Sequence, residues 1–159
     1  MLSCVQRSMP SPVGPLRVLA SETALTGVYL PEHRGAPPPS PAARDDHPVL
    51  RIVERELGEY FAGRRTIFTV PTAASGTDFQ QQVWATLRTI PFGTRWSYRD
   101  LALAIDRPRA VRAVASANAR NPLSILVPCH RVVGADGHLR GYAGGLPAKR
   151  WLLAHESSG

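Results

Sequence analysis

Apolar side chains recur along this chain in two rhythms, one in each half. Residues 13–30, "VGPLRVLASETALTGVYL", hold two short apolar runs around the polar turn Ser21–Thr23, which predicts a pair of β-strands. Residues 31–47, "PEHRGAPPPSPAARDDH", have no period and are rich in proline, so they read as an exposed, mobile loop. From 47 to 63 the spacing changes to that of a helix. Val49, Ile52, Val53, Leu57, Tyr60 and Phe61 share a face, Pro48 suits the first helical position and Gly63 the end. "RTIFTVP" (65–71) predicts a third strand, and "TAASG" (72–76) a linker.

The second half is denser in helix signals. Thr77 with Gln80 and Ser97 with Asp100 are capping boxes, each opening a predicted helix. The first carries Phe79, Val83, Trp84, Leu87 and Ile90 on one face and stops at Pro91. The second, 97–105, leads through the turn Asp106–Pro108 into a third helix at 109–119, and this pair fits a helix-turn-helix. That third helix, "RAVRAVASANA", is built from Ala, Val, Ser, Asn and Arg, small enough for its backbone to approach a grooved partner closely. Val111, Val114 and Ala115 are its expected core contacts. Arg109, Arg112 and Arg120 cannot all be buried unpaired, which favours contact with DNA over a purely structural role. Beyond it come a turn at Asn121-Pro122, a buried run at Ile125–Val127, a hairpin signal at Asp136-Gly137 and a last helix at 147–156.

Charge sharpens the division. Residues 1–75 hold 8 basic and 7 acidic side chains, whereas residues 76–159 hold 11 basic and 5 acidic, so nearly all of the net +7 lies in the second half. Such a field concentrates polyanions. Of the 19 basic residues 18 are arginine, a bias that also fits a GC-rich genome. No apolar run approaches a membrane span and the N-terminus has no apolar signal region, so a soluble cytoplasmic protein is expected. The division predicts an α/β domain over 1–75, with a small antiparallel sheet and one helix, and a mainly helical domain over 76–159 that binds DNA and carries the site.

The candidate chemistry sits in "LVPCHRVVG" (126–134). Cys129 beside His130 admits three interpretations: a small core residue, part of a metal site, or a nucleophile. Neither Cys4 nor Cys129 has a CxxC partner, which disfavours a four-ligand zinc site. A nucleophilic cysteine must become a thiolate, with a base or positive charge nearby. Adjacent side chains in extended backbone point apart, so His130 could serve only through a turn or a bridging water. Glu156 could orient His130 only if the last helix folds back onto the site.

The motifs "GTDFQQQVW", "SYRDLA", "NPLSILVPCHRVVG", "GYAGG" and "KRWLLAHE" together resemble the O6-alkylguanine-DNA alkyltransferase family, with "PCHRV" as its active-site signature, over roughly residues 76–156. The resemblance implies an RNase H-like N-terminal domain and a winged helix-turn-helix-like C-terminal one. It implies transfer of an alkyl group from O6 of guanine to Cys129, a displacement at saturated carbon that suits a soft thiolate. The thioether product resists water, so each molecule would act once. By the same resemblance His130 is the general base through a water, Glu156 its orienting partner, Asn121 a brace for the active-site turn, and Tyr98 a hydrogen-bonding partner of the base that helps guanine leave. Val132 would offer its carbonyl to the exocyclic amine, and Tyr142 and Ala143 would line the pocket; several relatives carry serine at the position of Ala143. Arg112 would fill the gap left by a flipped nucleotide, with Ala113, Ser116 and Arg120 beside it against the minor groove of duplex DNA.

No metal and no cofactor are expected. Cys4 matches one ligand of a zinc site in some relatives, but the second cysteine is missing. A monomer in solution is expected, with cooperative assembly on DNA and activity on O4-alkylthymine left open. Two other classes remain at this point: a non-catalytic protein that binds alkylated DNA, and a Cys-His hydrolase.

Overall fold

The computed structural model describes residues 4–31, 33–134 and 142–157. Three strands, β1 (Val5–Met9), β2 (Leu16–Ala20) and β3 (Leu25–Tyr29), form an antiparallel sheet in the order β1-β2-β3. The predicted pair is β2 and β3, joined across Ser21, whose hydroxyl accepts from the Thr23 and Ala24 backbone N–H groups. One face of this sheet, including Leu16, Val18, Leu25 and Val28, packs on α1 (Pro48–Phe61). The α1 stripe read from the sequence is the buried one: Val49, Val53, Leu57 and Tyr60 lie in the core. His47 caps the helix, its Nδ1 accepting from Leu50 N–H, and Gly63 takes the left-handed turn (φ +77°) just beyond it.

Two details differ from the expectations. The additional strand is β1, not 65–71. At β1 the loop 31–47 is tied down: Gln6 N–H donates to Pro41 and Ala43 N–H donates to Gln6, so the chain adds a bridge at Ala42. Residues 65–71 do not form a strand because a buried carboxylate claims their donors. Glu56 on α1 accepts from the N–H groups of Thr69 (3.0 Å) and Val70 (3.1 Å) and from the Thr69 hydroxyl (2.6 Å). Those N–H groups are the ones a ladder would need. Arg65 completes the charge balance of Glu56 at 3.1 Å.

In the second half, α2 (Asp78–Leu87) and α3 (Tyr98–Ala104) both open on complete capping boxes, Thr77/Gln80 and Ser97/Asp100. The turn after α3 contains Asp106 at φ +60°, and α4 (Val111–Ala119) begins two residues later than the pattern suggested, with no side-chain cap. Val114 is buried, while Ala117 and Asn118 are buried in place of Val111 and Ala115, which are half-buried. Trp84 on α2 fixes this orientation by donating its indole N–H to the Ala117 carbonyl at 2.8 Å. The two-residue strands β4 (Trp96–Ser97) and β5 (Val132–Val133) pair in parallel, and α5 (Leu146–Ser157) closes the described chain. The Asp136-Gly137 hairpin signal lies outside the described residues. Among them, no helix is long and apolar enough to cross a membrane.

The free edge of β3 positions the site. Thr72 bridges to Leu25 at one end of it, and at the other Val28 N–H donates to the Pro122 carbonyl (2.8 Å) while Ser124 N–H donates back to Val28 (3.2 Å). The segment that leads to Cys129 is therefore hydrogen-bonded to the N-terminal sheet.

Candidate active site

Asn121 organises the approach to Cys129. Its Oδ1 accepts from Leu123 N–H (3.0 Å), and its Nδ2 donates to the Val127 carbonyl (2.8 Å) and to the Cys129 sulfur (3.2 Å). Between these anchors Ile125 sits at φ +75°. A buried β-branched residue there is strained, of order 1–3 kcal/mol, and is held only because both flanks are fixed. Beyond Pro128 the chain tightens into a 3₁₀ turn, Cys129–Arg131, with Cys129 N–H bonded to Val127 and Arg131 N–H to Pro128. The turn sends Cys129 and His130 to different neighbours.

Cys129 lines a cavity of about 670 Å³ whose walls include Tyr98, Ala115, Asn118, Asn121, Tyr142 and Ala143. His130 is fully buried on the other side of the turn. Its Nε2 meets Glu156 Oε2 at 2.8 Å, and its Nδ1 has no hydrogen-bond partner among the described residues. Helix α5 does fold back: Glu156 is buried, not a surface charge. Arg131 clasps the same carboxylate with Nε at 2.7 Å and Nη2 at 3.0 Å, and Tyr60 on α1 donates its hydroxyl to Oε2 at 2.6 Å.

The electrostatics follow from this packing. Burial alone would push the Glu156 carboxyl up, but the donors His130, Arg131 and Tyr60 outweigh it and hold the group ionised well below the usual carboxylate range. With Glu156 an acceptor only, His130 carries its proton on Nε2, which leaves Nδ1 as a lone-pair base. Burial lowers the His130 pKa despite Glu156, so the imidazole is neutral. Burial also raises the Cys129 thiol, opposed by Asn121, Tyr142 and the Lys149 charge. Lys149, wholly buried, lies 5.9 Å from the centre of the Tyr98 ring.

Outside the cavity, α4 presents Arg112, Ala113, Ser116 and Ala119 to solvent, with Arg120 directly after it. A face of small residues edged by arginine is thus exposed beside the cavity that Ala115, Asn118 and Ala119 help to wall.

Residues 78–158 match the family model of the 6-O-methylguanine DNA methyltransferase DNA-binding domain, and residues 4–74 that of its ribonuclease-like domain. This chain belongs to the 6-O-methylguanine DNA methyltransferase family. The methylated-DNA–protein-cysteine methyltransferase of Mycobacterium tuberculosis is 44% identical over 152 residues, 96% of this chain and 92% of that protein. That of Shigella flexneri is 57% identical over 102 residues, 64% of this chain, and the match spans 60% of that protein. Among solved structures, the M. tuberculosis OGT in complex with DNA superposes with TM-score 0.86 at 43% identity, covering 96% of this chain and 92% of that one. The O6-methylguanine-DNA methyltransferase of Pyrococcus kodakaraensis gives TM-score 0.65 at 26% identity, covering 96% and 98%. The two-domain plan of this family is the one seen here, a small antiparallel sheet with one helix followed by a helical DNA-binding domain.

Of the residues singled out in the sequence, the family fold gathers Cys129, Asn121, Tyr98, Tyr142 and Ala143 around one cavity and joins His130 to Glu156 behind it. Val132 is buried in β5, paired with Trp96, and is not a wall of the cavity. The sequence reading missed Lys149, Arg131, Asn118 and Tyr60. It also gave loop 31–47 no role, whereas His33 and Arg34 stand at the cavity and Arg34 N–H donates to the Ala143 carbonyl (3.0 Å).

Lys149 carries a stability prediction. Burial depresses its pKa from 10.5 to about 8. Between these values the unfolded chain binds more protons than the folded one, so stability should rise with pH from about 8 to 10. Urea unfolding of wild type and Lys149→Met across that window should show the rise in the first and a flatter profile in the second. Parallel profiles would mean that the buried lysine keeps its ordinary proton affinity.

Proposed function

We propose that this protein repairs DNA by direct reversal, moving an alkyl group from O6 of guanine in duplex DNA to Cys129. The observation that carries this is Cys129 at the wall of a cavity roomy enough to admit a base, beside an exposed arginine-edged helix, with a neutral imidazole and its carboxylate behind. The two halves, 1–75 and 76–159, divide the labour: the first braces the site, and the second binds DNA and reacts.

In this mechanism α4 enters the minor groove, with Ala113 and Ser116 permitting close approach and Arg120 holding phosphate. Arg112 occupies the space of a nucleotide flipped into the cavity, because the O6 substituent cannot be reached within the stack. The Tyr98 hydroxyl binds the base, and Tyr142 and Ala143 enclose the alkyl group. His130 Nδ1 takes the Cys129 proton through a bridging water, Glu156 stabilises the imidazolium, and Lys149 and Asn121 favour the thiolate. Sulfur then attacks the alkyl carbon, the S–C bond forms as the C–O6 bond breaks, and the electron pair returns to guanine, aided by Tyr98. The thioether has no route back, so each molecule turns over once. The protein acts as a monomer in the cytoplasm.

Intact mass after incubation with O6-methylguanine DNA tests this: one methyl on Cys129, in stoichiometric yield. Tight binding without a mass change would point to a non-catalytic lesion binder, and repeated turnover of an ester or amide to a hydrolase. Duplex containing O4-methylthymine, run alongside, reports whether that base is also accepted. For Arg112→Ala, repair of duplex DNA should fall at least about tenfold more than reaction with free O6-benzylguanine, since only the duplex substrate requires flipping. Equal losses on both substrates would remove Arg112 from that role.

A further inference from the structure

Tyr60 belongs to α1, 96 residues before Glu156, yet its hydroxyl makes one of the shortest bonds of the acceptor site, 2.6 Å to Glu156 Oε2. This is the oxygen that also meets His130 Nε2. The contact is rigidly built. Tyr60 is fully buried, its ring packs edge-on against Phe61, Phe92 and His155, and its own carbonyl meets His155 Nε2 at 2.7 Å. A tyrosine needed only for core packing would not have to aim its hydroxyl at a carboxylate that already has an arginine. Resting on the alkyl-transfer mechanism above, we propose that Tyr60 is a positioning residue of the acceptor site: it fixes Glu156 Oε2 against His130 and limits how strongly that carboxylate draws a proton onto the imidazole.

The chemistry is a sharing of charge. An imidazolium at His130 is stabilised by the negative charge on Oε2. Each further donor to that oxygen draws off part of the charge, so His130 holds its proton less tightly and stays a free base at neutral pH. Among the described residues, the charged and titratable groups around the pair and Tyr60 are Cys129 and Arg131 from the 3₁₀ turn, Tyr142 before α5, and Lys149 and His155 from α5. Arg131 neutralises the carboxylate from one side, and Tyr60 reaches the shared oxygen from the N-terminal domain. That domain therefore takes part in tuning the site through one hydroxyl.

The test uses the full chain with Tyr60→Phe, and a second variant carrying 3,5-difluorotyrosine at position 60, which keeps ring and hydroxyl but donates more strongly. Two properties are read: the His130 titration by NMR in the free protein, and the pH–rate profile of methyl transfer from O6-methylguanine DNA. Tyr60→Phe should raise the His130 midpoint and the acidic limb of the rate by about half a pH unit, so transfer slows about threefold below that limb. Difluorotyrosine should move both the other way. A merely structural hydroxyl would change thermal stability and leave the midpoints alone. An unmoved His130 midpoint in folded Tyr60→Phe, or in the fluorinated protein should Tyr60→Phe not fold, overturns the proposal. If His130 shifts as stated but wild type transfers no methyl group, the alkyl-transfer mechanism fails while the assignment of Tyr60 to the His130–Glu156 pair stands.

Discussion

Cys129→Ser should abolish alkyl transfer to the protein, a loss of at least about a thousandfold, while binding of duplex DNA stays near the wild-type level. The substitution exchanges one atom of similar size in a buried position, so the cavity and the Asn121 bracing survive. What is lost is acidity and softness. Burial already raises the Cys129 thiol, opposed by Asn121, Tyr142 and Lys149, and in the proposed mechanism the neutral His130 takes the proton. A serine hydroxyl starts several pH units higher, beyond the reach of the same neighbours, and its harder oxygen is a poor partner for saturated carbon. In the proposed mechanism DNA is held by the α4 face and its arginines, which the substitution leaves unchanged, so binding should keep its salt dependence. The comparison is intact mass and gel-shift titration of wild type, Cys129→Ser and Cys4→Ser on O6-methylguanine duplex. Cys4 contacts only the Thr26 hydroxyl, at 3.6 Å, among its described side-chain hydrogen bonds, and its variant should be methylated normally. Methylation of Cys129→Ser at an undiminished rate would show that the acceptor is another residue.

Local signals in the sequence were reliable where structure is local. The capping boxes at Thr77 and Ser97, Pro48 at the start of α1 and Gly63 at its end all depend on neighbours within four residues, and each lies where the pattern put it. Strand assignment failed where long-range bonding decides. Residues 65–71 have strand-like composition, yet Glu56 takes the N–H groups of Thr69 and Val70, and no local pattern announces that a helix carboxylate will do so. β1 was missed for the opposite reason: "VQRSM" offers one fully buried side chain, Met9, and is a strand because β2 and the residues after Pro39 pair with it on both sides. β4 and β5 are two residues each, too short to show a period.

The site divides along the same line. Cys129, His130, Asn121 and Glu156 are legible because they lie in the short strings that carry the family resemblance, "NPLSILVPCHRVVG" and "KRWLLAHE". Lys149 and Arg131 lie in those same strings, but lysine and arginine are normally solvent-facing, and nothing local signals that these two are buried. Tyr60 was correctly placed on the buried face of α1, but burial does not reveal where a hydroxyl points. Its partner is in another domain, and only the fold brings α1 and α5 together.

Those long-range contacts make Glu156 a structural residue and, in the proposed mechanism, a member of the proton relay, so Glu156→Gln should show two large effects at once. Glutamine has nearly the same shape but no charge, which leaves the buried Arg131 guanidinium without a counterion and His130 without its anionic partner. Breaking a buried pair from one side costs about 3–5 kcal/mol, and urea unfolding at pH 7 should show a deficit of that size. Methyl transfer should fall by about two to four orders of magnitude, the range expected when an acid–base relay is disabled. The pH dependence separates this cause from generic packing loss. The folded Glu156 carboxyl titrates well below its unfolded value, so its stabilising contribution is complete above the ordinary carboxylate range and drains away as pH falls through about 4 and lower. The deficit of Glu156→Gln relative to wild type should therefore shrink between pH 5 and pH 3. A deficit that holds constant across that window would place the cost in packing, and a variant that transfers methyl groups at the wild-type rate would remove Glu156 from the relay.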